Sequence, residues 1–148
     1  MPIALNLTLP LKQDAGTQEK LAAFATAFAD HVQPRMDQAL RESELVHFAR
    51  VYVIENRWLL ILTEYDGDPI VYSEFFRTEL TDIFKYVLTL VEDAPAWEEI
   101  DNDVRFFEYM QRYNPPSLGR NVGDEFNRGY LFTMFDKTVA ELQDALGE

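Results

Sequence analysis

The fold follows from Val46-His-Phe-Ala-Arg-Val-Tyr-Val-Ile54, then Glu55-Asn56, then Arg57-Trp-Leu-Leu-Ile-Leu-Thr-Glu-Tyr65. Both long runs are rich in β-branched and aromatic residues, which favour strands. Two such runs separated by two residues are typical of a β-hairpin, and Asn56 tolerates the positive φ that its tight turn requires. The stretch therefore predicts two antiparallel strands over residues 46–54 and 57–65.

Both faces of this hairpin carry apolar side chains, because strand residues alternate between the two faces. One face has Phe48, Tyr52 and Ile54, and the other has Ala49, Val51 and Val53. Helices that pack on one side of a sheet leave the other side bare. A bare face this apolar requires a cover, and face-to-face pairing with a second sheet would supply it. The hairpin therefore predicts a homodimer.

The regions that flank the hairpin read as strand and helices. Residues 3–9 alternate between apolar and polar, which predicts a first strand with one apolar face. Apolar residues from Leu21 to Met36 recur at helical steps, with a kink or break expected just before Pro34. Asp68 is the expected cap of a helix that begins at Pro69 and whose apolar stripe continues to residue 91.

The last third of the chain is less regular. Residues 97–110 fit one or two short helices, closed by Asn114-Pro115-Pro116. Residues 117–128 show no periodicity, and so long a connection in a compact domain is usually functional or mobile. Residues 130–135 predict a last strand, and Thr138 with Glu141 predicts a capped final helix that ends near residue 146.

The predicted order is βαββαβ with helical additions before and after the last strand. This order is that of the ferredoxin-like split βαβ arrangement, an antiparallel sheet with helices on one face. The fold class is therefore predicted as α+β, with residues 1–148 forming a single domain.

Composition narrows the function classes. The chain has 148 residues and a net charge of −13, which argues against nucleic acid and anionic membrane surfaces as partners. It has no cysteine, which excludes disulfides and thiolate sites and fits a reducing cytoplasm. No signal peptide is expected at its start, and no apolar run approaches the roughly 20 residues of a membrane span. Aromatic residues make up 14%, which indicates a large interface or an aromatic-lined pocket.

Two residues of the second strand are candidate site residues. His47 could act as a proton acceptor or metal ligand in a cavity, or be an ordinary hydrogen-bonded strand histidine that shares a face with Ala49 and Val51. Arg50, on the opposite face, could bind a ligand carboxylate or form a salt bridge with an acid on a helix. No His-x-x-x-His or Glu-x-x-His spacing occurs, so no metal site and no cofactor are predicted.

Other polar residues give weaker signals. Asn6 and Thr8 lie opposite the leucines of the first strand, where they would orient a ligand or simply face water. Tyr65 is a second candidate for handling a proton. Glu64, Asp66 and Asp68 have a spacing seen in calcium loops but lack the rest of that pattern. The glycines at 119 and 123 could embrace an anion, although a plain loop explains them as well. The aromatic residues of 106–113 and 126 are interpreted as packing for the added helices.

The chain resembles a known superfamily. The His47-Phe-Ala-Arg50 start of the second strand, the leucine-rich third strand ending Tyr65-Asp-Gly-Asp68 and the helix from Pro69 are similar to the dimeric α+β barrel superfamily, nearest to uncharacterised small relatives of dye-decolourising peroxidases. The resemblance covers residues 3–92 and, more weakly, the last strand and helix. It implies a homodimer whose two sheets form a barrel.

Members of that superfamily include haem peroxidases, cofactor-free monooxygenases and regulatory ligand-binding domains, so the fold does not select a function. The peroxidases carry a Gly-x-x-Asp-Gly motif and a haem-ligating histidine in the later half. This chain has no Gly-x-x-Asp-Gly motif, and its two histidines, His31 and His47, both lie in the first half. Both departures disfavour haem binding. The remaining hypotheses are a binding module or scaffold for a small apolar or aromatic molecule, and a cofactor-independent monooxygenase or isomerase acting in the barrel cavity.

Overall fold

The computed structural model describes residues 2–120, 126 and 128–147, and its architecture is α+β. A three-stranded antiparallel sheet has the order β1-β3-β2, with β1 at Ile3–Pro10, β2 at Val46–Ile54 and β3 at Trp58–Tyr65. The helices are α1 Ala15–Ala27, α2 Gln33–Ser43, α3 Pro69–Glu79, α4 Thr81–Leu88, α5 Trp97–Ile100, α6 Asp103–Arg112 and α7 Val139–Leu146. The α+β prediction is confirmed at this level.

The predicted hairpin is confirmed. Glu55 and Asn56 have φ values of 52° and 53°, and the N–H of Arg57 donates to the carbonyl of Ile54 at 2.9 Å. Two consecutive positive φ values with this closing bond define a type I′ turn, whose twist matches that of the strands. The third strand begins at Trp58, one residue later than predicted.

One face of the sheet is buried and the other is open. Ile3, Leu5, Leu7 and Leu9 of β1 are all buried. Together with Leu59 and Ile61 of β3, they form one core with helical residues that include Phe76, Phe84 and Phe106. On the other face the side chain of Phe48 is 76% exposed, and Tyr52, Ile54 and Trp58 are also exposed. The prediction of a helix-covered face and a bare apolar face is therefore confirmed.

The expected interruption before Pro34 is a π-helical turn at Phe28–Val32, between α1 and α2. The N–H of Gln33 donates to the carbonyl of Phe28, five residues earlier. Proline has no N–H and its ring would clash with the carbonyl four residues before it. Widening this turn accommodates the ring without ending the helical path.

The helix predicted over 69–91 is in fact two helices. Asp68 caps α3 as predicted, its carboxylate accepting from the N–H of Ile70 at 2.7 Å. Leu80, with φ −119° and ψ 30°, then separates α3 from α4. The hydroxyl of Thr81 donates to the carbonyls of Arg77 and Thr78. A hydroxyl that hydrogen-bonds to carbonyl groups of the preceding turn competes with the backbone hydrogen bonds that would continue the helix.

The strand predicted over 130–135 is wrong, because these residues have no strand conformation. The outer edge of β1, where a fourth strand would pair, is taken by other groups. The N–H of Thr8 donates to the carbonyl of Tyr113 at 2.7 Å, and the N–H of Asn6 donates to Oδ1 of Asn114 at 2.9 Å. Further along the same edge, Leu11 forms an antiparallel bridge with Val91.

The remaining helices match their sequence signals. The short helices α5 and α6 occupy the region where one or two were predicted, and α6 packs against α3. Thr138 caps α7 through a hydrogen bond of 3.1 Å from the N–H of Glu141. Within residues 2–120, 126 and 128–147, no helix has both the length and the apolar character that a bilayer crossing demands.

Candidate functional site

A pocket of about 620 Å³ lies at one end of the open sheet face. It is bounded by the start of β2, the end of β3, the irregular residues 131–135 and α7. The lining residues are Pro2, His47, Phe48, Ala49, Arg50, Leu62, Glu64, Leu131, Phe132, Thr133, Met134, Phe135 and Leu142. Apolar side chains therefore surround three groups that can carry charge, namely His47, Arg50 and Glu64.

A β-bulge places His47 in this pocket. Val46 pairs with Tyr65 and Phe48 pairs with Glu64, so His47 is an extra residue that has no partner in the register. Bulges re-aim side chains next to functional sites, and the simple alternation that assigned His47 to the face of Ala49 and Val51 does not hold across one. Its Nε2 lies 2.8 Å from Oδ1 of Asp66.

Asp66 connects the groups around this site by hydrogen bonds, and its side chain is only 9% exposed. Besides contacting His47, its second oxygen Oδ2 accepts from the N–H of Val139 at 2.8 Å. Its backbone N–H donates to the carbonyl of Leu45 at 2.9 Å. The carboxylate thus joins the pocket histidine to the first turn of α7. Sequence analysis placed Asp66 only in an acidic cluster, because nothing local to it signals a partner so distant in sequence.

Arg50 and Glu64 share the open face on neighbouring strands. Arg50 pairs with Leu62, and Glu64 pairs with Phe48, one step along the same face. Arg50 is exposed and forms no ion pair within 4.0 Å with any acid in the described part of the chain. The predicted alternative of a salt bridge to a helix acid is therefore not found there. Burial raises the pKa of Glu64, and the charges of Arg50 and His47 offset part of that rise.

Asn6 and Thr8 lie on the open face but do not line the pocket. The side-chain amide of Asn6 donates to the carbonyl of Pro115 at 3.1 Å and to the hydroxyl of Ser117 at 3.0 Å. The hydroxyl of Thr8 donates to the carbonyl of Asn6 at 3.2 Å. The side chain of Asn6 thus holds the segment that covers the edge of β1, and the hydroxyl of Thr8 is bonded within its own strand.

Tyr65 lies on the core side of the sheet, away from the pocket lining. Its ring stacks on that of Tyr72, with the ring centroids 3.9 Å apart and the planes at 17°. The structure therefore brings together His47 and Arg50, but not Asn6, Thr8 or Tyr65.

The three carboxylates at the end of β3 diverge. Glu64 faces the pocket, Asp66 contacts His47 and Asp68 caps α3, as its sequence position predicted.

Across residues 2–120, 126 and 128–147, no three or more His, Asp or Glu side chains are grouped so that they could hold a metal ion. Residues 121–125, and with them most of the predicted anion loop at 119–123, lie outside the described residues.

The His47–Asp66 contact orients the imidazole ring. A carboxylate oxygen accepts hydrogen bonds, so in the tautomer that suits this contact Nε2 donates to Asp66 and Nδ1 is left as the second ring nitrogen. A base oriented by a carboxylate in this way resembles the pairing used in proton-transfer catalysis.

Comparison of the chain with protein-family models, curated proteins and solved structures finds no match. The pocket's own residues are therefore the guide to function.

Proposed function

We propose that this protein is a homodimeric binding module that holds a small, largely apolar molecule in the pocket between the sheet and residues 131–135. The observation that carries this proposal is the pocket itself. Its volume of about 620 Å³ falls within the roughly 300–1,000 Å³ typical of small-molecule sites. Such sites are mostly apolar with a few placed polar groups, and His47, Arg50 and Glu64 are those groups here.

The proposed dimer is a ferredoxin-like α+β barrel, in which two open sheet faces pack against each other. The strand order β1-β3-β2, with β3 antiparallel to both neighbours, supports it because a split βαβ sheet contains the same three-strand arrangement. The open face supports it as well, because large apolar patches rarely remain uncovered on a soluble monomer. Phe48 and Phe132 are 76% and 86% exposed, and a second copy would cover such rings and enclose the pocket.

The experiment that tests this proposal is native mass spectrometry followed by denaturing mass spectrometry of the same sample. We expect a dimer that carries extra mass under native conditions and loses it on denaturation. The variant Tyr52→Glu alters the open face without altering a residue of the pocket lining, and it should yield monomers. The control Val104→Glu changes an exposed apolar residue of α6 and should remain dimeric. A monomeric wild-type protein that binds no apolar compound in a ligand screen would contradict the proposal.

A cofactor-independent isomerase or monooxygenase is the second candidate, and the His47–Asp66 contact of 2.8 Å favours it. In this function Nδ1 of His47 would accept a proton from a substrate held in the pocket. The test is exchange of solvent deuterium into a bound enolisable ketone, followed by NMR. His47→Gln should abolish exchange while the ketone still binds. Exchange at the wild-type rate in that variant would remove His47 from any catalytic role.

A further inference from the structure

We propose that the molecule bound in this pocket carries a single carboxylate, which pairs with Arg50; the inference rests on the binding function proposed above. Among the described residues that line the pocket, Arg50 is the one permanent cation. It forms no ion pair within 4.0 Å with the described acids, so its guanidinium is available to a ligand. The planar guanidinium presents paired N–H donors that match the two oxygens of a carboxylate.

The surrounding charges select a monoanion. Glu64 lies one step along the same sheet face from Arg50, so the local excess of positive charge is small. The whole chain has a net charge of −13, which repels anions at long range. A dianion such as a phosphate ester would therefore bring one negative charge more than a carboxylate to a partly buried site that has a single permanent cation, which is costly. A carboxylate brings one negative charge, which the one guanidinium can pair with.

The apolar lining selects the rest of the ligand. Phe48 and Leu62 form the sheet side of the pocket, and Phe132, Met134 and Leu142 come from the C-terminal segment. Phe132 and Met134 are 86% and 91% exposed, so a ligand that covers them removes apolar surface from water. The chemical class that fits both parts of the pocket is an amphipathic monocarboxylate, with an alkyl or aromatic body and one acidic end.

The test compares decanoate with decan-1-ol, because the two have the same chain and differ in the charged end. Isothermal titration calorimetry on the intact protein should show at least about tenfold tighter binding of decanoate, a difference of about 1.4 kcal/mol. Arg50→Gln should bring the two affinities together, and Arg50→Lys should keep part of the difference because a lysine is a point charge without the paired donors. Glu64→Gln should tighten decanoate binding several-fold, since it removes the neighbouring negative charge.

The matched control is Arg57→Gln, which removes the same charge from an exposed residue at the far end of the hairpin. It should leave the preference for decanoate unchanged. Equal affinities of the wild-type protein for decanoate and decan-1-ol, or a preference that survives in Arg50→Gln, would overturn the inference and leave the binding function standing. Failure of both probes to bind, together with a ligand screen that finds no apolar compound, would overturn both proposals. Urea unfolding of each variant separates a lost contact from a lost fold.

Discussion

Oδ2 of Asp66 accepts a hydrogen bond of 2.8 Å from the backbone N–H of Val139, which lies 73 residues later in the chain. Val139 is the first residue of α7, and the N–H groups of a first helical turn have no partner inside their own helix. A carboxylate at this end also interacts favourably with the helix dipole. The carboxylate that orients His47 therefore also links the first turn of α7 to the end of β3.

Asp66→Ala should lower the free energy of unfolding by roughly 1.5–3 kcal/mol, as expected for loss of a hydrogen bond to a charged group. Hydrogen exchange should show the greatest loss of amide protection in Val139–Leu146, because this substitution removes a hydrogen bond between the end of β3 and α7. Urea unfolding and hydrogen exchange measure the two effects. Glu19→Ala, which removes an exposed carboxylate from α1, should change stability by less than about 0.5 kcal/mol. Undiminished protection of α7 in Asp66→Ala would show that other contacts hold the helix.

Glu55→Asn should stabilise the protein by about 0.5–1 kcal/mol. Glu55 has a φ of 52°, a left-handed conformation that costs most L-residues roughly 1–2 kcal/mol and asparagine less. Glu55→Ala keeps a β-carbon without the local hydrogen bonding of asparagine, so it should bring no gain. Chemical unfolding of the two variants against the wild type gives the comparison, and an equal gain from alanine would mean that charge, not turn geometry, is responsible.

Tyr72→Phe should lower the stability of the protein, whereas Tyr109→Phe should not. The buried hydroxyl of Tyr109 forms no hydrogen bond with a described residue, and an unpaired buried polar group costs roughly 1–3 kcal/mol. Its removal should therefore leave stability equal or higher. The hydroxyl of Tyr72 donates to Oγ1 of Thr63 at 2.9 Å, so its removal should cost about 1 kcal/mol. Thermal or urea unfolding decides the matter, and a large loss in Tyr109→Phe would indicate a partner for that hydroxyl.

Stability should fall as the pH rises above 10. Burial raises the pKa of Tyr72 above its ordinary value of 10.0 and raises the pKa of Tyr109 in the same direction. Above pH 10 the unfolded chain loses protons that the folded chain keeps, so each tyrosine lowers the free energy of unfolding by up to about 1.4 kcal/mol per pH unit. Below pH 10 this contribution is fully present. Urea unfolding from pH 9 to 11 should give a shallower decline for the double variant Tyr72→Phe, Tyr109→Phe, and identical slopes would refute the assignment.

Local sequence signals predicted the parts of the fold that local chemistry determines. The turn at Glu55-Asn56, the cap at Asp68 and the interruption before Pro34 each depend on a few adjacent residues. The strand predicted at 130–135 failed for a nonlocal reason. Its residues favour a strand, but the edge of β1 was already bonded to Tyr113 and Asn114. Local preference cannot report such a competition between distant segments.

The site was predictable to the same extent. His47 and Arg50 were identified as unusual side chains in a strand, and both line the pocket. The bulge that re-aims His47 appears only in the pairing of β2 with β3. The role of Asp66 could not be predicted from the sequence, because its partner Val139 belongs to a helix far along the chain. Asn6 looked like a ligand contact because its use of Pro115 and Ser117 is equally distant in sequence.

The cover on β1 has a consequence for how this protein could associate through backbone pairing. A bare strand edge is a template on which another chain can add a strand. With Tyr113 and Asn114 bonded to the N–H groups of β1, the outer edge of β2 is the one left open among the described strands. Two sheets joined through their β2 edges would leave no open edge for a third. Growth by strand addition would therefore stop at a pair, because Tyr113 and the side chain of Asn114 occupy the outer edge of β1.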